Sequence, residues 1–119
     1  MNKKVLVVGA SKNPSRYSNK AMIRLMENNY EVFAFGNRPG KVMGIEISTE
    51  FPNMQIDTLT LYLNSKNQKQ YYNNIINLNP KRIIFNPGAE NEELSIVARE
   101  KGIEVMNACT LVMLSIGNF

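Results

Sequence analysis

Short apolar runs alternate along the chain with longer stretches in which apolar side chains recur every third or fourth position. Val5-Leu6-Val7-Val8 is a continuous, β-branched-rich run that stops at Gly9, as expected of a parallel strand buried on both faces. From Ser18 to about Asn28 the period lengthens: Ala21, Met22, Leu25 and Met26 form one helical face, Lys20, Arg24 and Glu27 the other. Asn28-Asn29 offers a left-handed stop. Glu31–Phe35 reads as a second strand closing on Gly36, and Asn37-Arg38-Pro39-Gly40 as a turn. Ile45–Ile47 reads as a short edge strand, Phe51–Asn53 as a connector, and Thr58–Leu63 as the third main strand. Asn67–Leu78 reads as a helix with Tyr71, Tyr72, Ile75 and Ile76 inward, ended by Asn79-Pro80. Arg82–Asn86 is the fourth main strand, and Asn91 caps a helix that runs through Lys101 to Gly102, with Glu92 and Glu93 in its first turn. Ile103–Met106 is the fifth main strand, and Leu111–Ser115 a short final helix.

Strands that alternate with helices of this length imply βαβ crossovers. The expected fold is a single α/β domain over residues 1–119, a Rossmann-like doubly wound sheet of five main parallel strands plus the short edge strand. Val5–Val8 is expected at the centre and the Ile45 segment outermost.

Composition narrows the function classes. The 119 residues are 44% hydrophobic, enough for a real core. No apolar run approaches the ~20 residues that span a bilayer, and Val5–Val8 is too short for a signal-peptide core. The single cysteine, Cys109, forbids an internal disulfide and fits a reducing compartment, so the expected location is cytoplasmic, away from membranes. The net charge of +4 arises from dispersed lysines and arginines without a cluster that tracks a phosphate backbone, so no nucleic-acid partner is expected. A small anionic ligand suits a few of them equally well.

In an open parallel sheet, ligands bind beyond the carboxyl ends of the strands, so candidate chemistry lies in the loops that follow them. The first loop, Gly9 to Ser18, opens with glycine and leads into a helix N-terminus, whose free N–H groups favour anions. Gly9 and Ala10 bring backbone close to a ligand, Ser11, Asn13, Ser15 and Ser18 offer hydrogen bonds, and Lys12 and Arg16 offer positive charge. This set suits a phosphate or pyrophosphate; the alternative is an ordinary polar loop in which Ser18 caps the helix. The dinucleotide fingerprint G-x-G-x-x-G is absent, because Ser11 stands at its second glycine. After the second strand, where NAD sites place a carboxylate, the chain has Arg38 and Lys41 instead. NADP or CoA, each phosphorylated on the adenosine ribose, fits better. Asn64 after the third main strand, and Asn86, Pro87 and Gly88 after the fourth, are candidates to line the same crevice. With no histidine and one cysteine, catalytic triads and metal clusters lack members. Cys109 is either a thiol near the ligand or a small packed residue.

The loops together resemble the CoA-binding domain family: Gly9-Ala-Ser, Asn13-Pro14, Arg16 and Ser18, then Asn37-Arg-Pro-Gly-Lys41, Asn86-Pro-Gly88 before a glutamate-rich helix, and Asn107-Ala-Cys109. The same type of domain forms the nucleotide-binding part of the succinyl-CoA synthetase alpha subunit. The resemblance implies that the first loop holds the phosphates of CoA or an acyl-CoA, that Lys41 contacts the nucleotide, and that Asn86–Gly88 also meets CoA. It does not extend to ligase activity, since the ligase's second domain and phosphorylated histidine have no counterpart here. The expected function is therefore binding of this small-molecule nucleotide, with no catalytic step. The alternatives are an NADP-dependent or thiol-using enzyme on the same cleft, and an interaction module that pairs with a partner or with itself as a homo-oligomer.

Overall fold

The computed structural model describes residues 3–119. Seven strands, β1 (Lys4–Val8), β2 (Glu31–Phe35), β3 (Gly40–Val42), β4 (Ile45–Ser48), β5 (Thr58–Leu61), β6 (Arg82–Phe85) and β7 (Glu104–Asn107), form one sheet in the order β3-β4-β2-β1-β5-β6-β7. All neighbours are parallel except β3 and β4. Helices α1 (Tyr17–Glu27) and α5 (Thr110–Ser115) cover one face. On the other lie α2 (Ser65–Gln68), a 3-10 turn (Lys69–Tyr71), α3 (Tyr72–Leu78) and α4 (Glu92–Glu100).

The two-residue period of β1 explains its unbroken apolar run. Leu6 and Val8 enter the core beneath α3 and α4, while Val5 and Val7 enter the core beneath α1 and α5. β1 therefore sits at the centre, as its sequence predicts. From β1 the chain winds outward through β2 to β4, then crosses back to place β5 on the other side of β1. That reversal separates the loops after β1 and β5 and opens a crevice at the carboxyl end of the sheet.

Several expectations are corrected. The sheet has seven strands rather than five and an edge, and the Ile45 segment is not outermost. Residues Met43 and Gly44, with φ of 47° and 85°, make a two-residue reversal that folds Gly40–Val42 back as an antiparallel margin. A methionine in a left-handed turn carries no turn signal, so the hairpin is hidden in the sequence. The third main strand stops at Leu61, not Leu63, and the last begins at Glu104 and ends at Asn107. The helix read from Asn67 starts at Ser65, where Asn64 Oδ1 accepts the Asn67 amide at 2.9 Å, and is interrupted by the 3-10 turn. The interruption coincides with Gln68, which is fully buried and donates to the carbonyls of Leu63 (2.8 Å) and Ala89 (2.7 Å). Ser18 is not a cap: it is the second residue of α1 and is buried. No described helix is long and apolar enough to cross a membrane.

A buried polar knot holds the carboxyl ends of β5 and β6 to α5. Asn86 donates to Thr60 Oγ1 (2.7 Å) and to the Leu61 carbonyl (3.0 Å), and its Oδ1 accepts the Thr110 amide (2.9 Å). The Thr60 and Thr110 hydroxyls share a bond of 2.8 Å. Beside them the Tyr62 hydroxyl is buried without a hydrogen-bond partner. Burial pushes its pKa from 10.0 up to about 12; Thr110 and Thr60 offset part of that rise, and Cys109 adds to it. The threonine hydroxyls bond each other, and Thr60 also Asn86, and neither is placed to complete a bond to the phenol.

The knot has three measurable consequences. Asn86→Leu strands the buried Thr110 amide and takes a donor from Thr60 Oγ1, while the Leu61 carbonyl keeps the backbone amide of residue 86, and the change is expected to destabilise the fold by about 3 kcal/mol in chemical denaturation. Tyr62→Phe removes no bond, so its stability should match the wild type to within about 1 kcal/mol; a larger loss would show that the hydroxyl is bonded after all. The phenol itself should ionise near pH 12 by ultraviolet titration. Since an unfolded tyrosine ionises near 10, its contribution to stability is complete below pH 10 and is lost as pH climbs from there toward 12.

Candidate functional site

The crevice is a cleft of about 990 Å³ at the carboxyl ends of β1, β2 and β5, a volume within the range of small-molecule sites. Its walls are the loop Gly9–Arg16 with the first turn of α1, the segment Phe35–Arg38 after β2, Tyr62–Asn64 after β5, and Asn67, Gln70, Tyr71 and Pro87.

The first loop is held in shape largely by its own side chains. Gly9 and Ala10 both donate their amides to the Phe35 carbonyl, each at 2.9 Å, which turns the chain away from the sheet. Ser11 Oγ accepts the Asn13 amide (3.1 Å), and Asn13 Oδ1 accepts both the amide (3.0 Å) and the hydroxyl (2.9 Å) of Ser15. Asn19, buried in α1, donates to the Ser11 carbonyl at 3.0 Å and ties loop to helix. The N-terminus of α1 has Arg16 at its cap position and no capping side chain; the Asn19 amide bonds the Arg16 carbonyl at 3.1 Å, while the amides of Tyr17 and Ser18, both in the cleft wall, have no partner among the described residues. Three cations, Lys12, Arg16 and Arg38, line the cleft; none joins an ion pair among the described residues, and no carboxylate lines it. The field in the cleft is positive.

Part of the lining is aromatic. Phe35 closes the end of β2, with Phe51 and Tyr71 edge-on to it at ring centroid distances of 5.0 Å each. Phe35 and Tyr71, with rings nearly perpendicular, both line the cleft and give it an aromatic corner in the same lining as Arg38.

Of the residues predicted from sequence, Gly9, Ala10, Ser11, Asn13, Arg16, Ser18, Arg38, Asn64 and Pro87 line this cleft. Within that set, the Gly9 and Ala10 amides are spent on Phe35, and Asn64 Oδ1 on the start of α2. Lys41, Asn86 and Gly88 lie outside the lining. Lys41 faces Glu46 across the β3–β4 hairpin at 3.9 Å, both side chains well exposed. Asn86 is 1% exposed, with all its polar atoms used in the knot. Gly88 donates its amide to Glu90 at 2.9 Å. Cys109 is half-buried ahead of α5 and outside the lining. Sequence reading missed Tyr17, Asn67, Gln70 and Tyr71. The last three come from the segment read as a plain helix: Asn67 lies in α2, and Gln70 and Tyr71 lie in the 3-10 turn.

The family model of CoA binding domains matches residues 3–115. The crystal structure of an uncharacterized protein is 47% identical, covers 100% of this chain and 99% of its own, and superimposes with a TM-score of 0.96. A hypothetical protein from Pyrococcus horikoshii OT3 is 27% identical over 97% of this chain and 83% of its own, with a TM-score of 0.86. The dinucleotide-forming acetyl-coenzyme A synthetase 1 of Ca. Korarchaeum cryptofilum, solved with phosphate and ADP, shares the fold at 19% identity and a TM-score of 0.71, over 89% of this chain and 25% of that enzyme. No curated protein sequence matches the chain. With a family model that spans nearly its whole length, this chain belongs to the family of CoA-binding domains.

Proposed function

We propose that the cleft binds CoA or an acyl-CoA. The observation that carries this reading is a switch-point cleft of nucleotide size that presents Lys12, Arg16, Arg38 and an uncapped helix N-terminus, with no carboxylate in its lining. A pyrophosphate suits the mouth of α1, where the N–H groups and Arg16 supply charge-assisted hydrogen bonds. Ser11 and Ser18 stand in the same wall. The adenosine end lies toward Phe35 and Tyr71, with Arg38 near the ribose. A ribose hydroxyl pair, the partner of an acidic side chain in NAD sites, finds only cations here, which favours a carrier phosphorylated on that ribose. The donor set fits CoA on these grounds. The family membership supports the same ligand.

Isothermal titration of CoA into the folded protein tests the reading, with NADP as competitor. Binding in the micromolar range is expected, weakening as salt is raised because the contacts are ionic. Arg16→Ala should weaken CoA binding by roughly 10- to 100-fold, the loss of one or two charge-assisted hydrogen bonds, while leaving thermal stability unchanged. No heat at high micromolar CoA, from protein shown to be folded, would refute the assignment.

A further inference from the structure

Two lysines, Lys41 of the β3–β4 hairpin and Lys12 of the first loop, lie on opposite sides of the sheet's margin, and only Lys12 lines the cleft. In β3 the side-chain direction alternates. Val42 is buried against the α1 core, and Gly40 pairs in register with Ile47 of that same core. Lys41, between them, points to the opposite face and pairs with Glu46. The α1 face at Gly40 is filled by a side chain from the first loop: a Cβ built on Gly40 would stand 3.1 Å from both Cβ and Cδ of Lys12. The aliphatic stem of Lys12 thus lies across the bare backbone of Gly40, and Lys12 lines the cleft together with Arg38. A long lysine loses rotamer freedom when it is so seated, and its charge is held near one place before any ligand arrives.

We propose that Lys12, seated on Gly40, and Arg38 form a two-cation clamp for a phosphomonoester on the adenosine ribose, and that Lys12 rather than Lys41 reads that phosphate. The proposal rests on the reading of the cleft as a CoA site and names the group by which the site selects its ligand. Gly40 is part of the device, because its missing side chain is the seat. The clamp bridges the first loop and the hairpin, so it discriminates between carriers that share every other contact. A phosphomonoester carries up to two negative charges at neutral pH, and two convergent cations match them where one would not.

The test is calorimetric titration of the full chain with CoA and with 3′-dephospho-CoA, for wild type, Lys12→Met, Lys41→Met and Gly40→Ala, each shown to be folded by circular dichroism. Wild type is expected to prefer CoA by about 100-fold, and Lys12→Met to lower that preference by about tenfold, the effect of one charge-assisted contact. Lys41→Met should keep the full preference. Gly40→Ala, which keeps both charges but crowds the lysine stem, should give an intermediate value. An unchanged preference in Lys12→Met, or a lost one in Lys41→Met, overturns the proposal, and an unchanged one in Gly40→Ala overturns the seat. Equal affinity of wild type for both ligands overturns the clamp while leaving the CoA reading intact, whereas binding of neither overturns both.

Discussion

The carbonyl oxygen of Phe35 receives two amide protons, from Gly9 and Ala10, and the architecture of the rim depends on that junction. It ends β1 and β2 at the same level and turns the chain outward into the first loop. The approach is so close that a Cβ on Gly36 would collide with the Ala10 carbonyl oxygen, so no larger residue fits there without moving one strand. Around this fixed point the first loop folds on its own serine and asparagine side chains, and α1 begins without a capping side chain. The positive end of the helix therefore faces the cleft.

A cleft made this way combines two requirements that usually conflict. Its mouth must hold unpaired positive charge, which is disfavoured in a compact protein. The charge is tolerated because Lys12, Arg16 and Arg38 remain exposed to water. The floor behind them is fixed by groups that lie outside the cleft lining. Asn86, Thr60 and Thr110 lock two strand ends to the last helix, and Gln68 holds the loop before α4 through the Leu63 and Ala89 carbonyls. Polar side chains with all their partners inside the protein make the rim stiff, while exposed ones at its edge stay free for recognition.

Asparagine residues show how far a sequence can be read toward such a site. Asn13, Asn64 and Asn86 all follow strands, and all suit ligand contact by type. In the structure Asn13 shapes its own loop, Asn64 caps α2 while lining the cleft, and Asn86 is fully enclosed. Nothing local separates the three, since an amide serves a cap, a turn, a buried knot or a ligand equally well. The two lysines of the hairpin region pose the same problem. Lys41 follows a Pro-Gly pair, as the family resemblance expects of a nucleotide contact, yet one step along the pleat sends it to the far face, and Lys12 comes across to the seat beside it.

The amino-acid order alone determined the alternation of strands and helices, the central place of Val5–Val8, the loops in which chemistry could lie and the absence of an acidic residue after the second strand. These are written in period, composition and turn chemistry, all of which act over a few residues. The tertiary structure alone decided which loop residues converge, that Gly40–Val42 doubles back as a seventh strand, and that Gln70 and Tyr71 reach the rim. Those outcomes depend on sheet order, on the parity of the pleat and on the left-handed Met43–Gly44 reversal. They join residues far apart in the chain, and no local pattern encodes a distance between them.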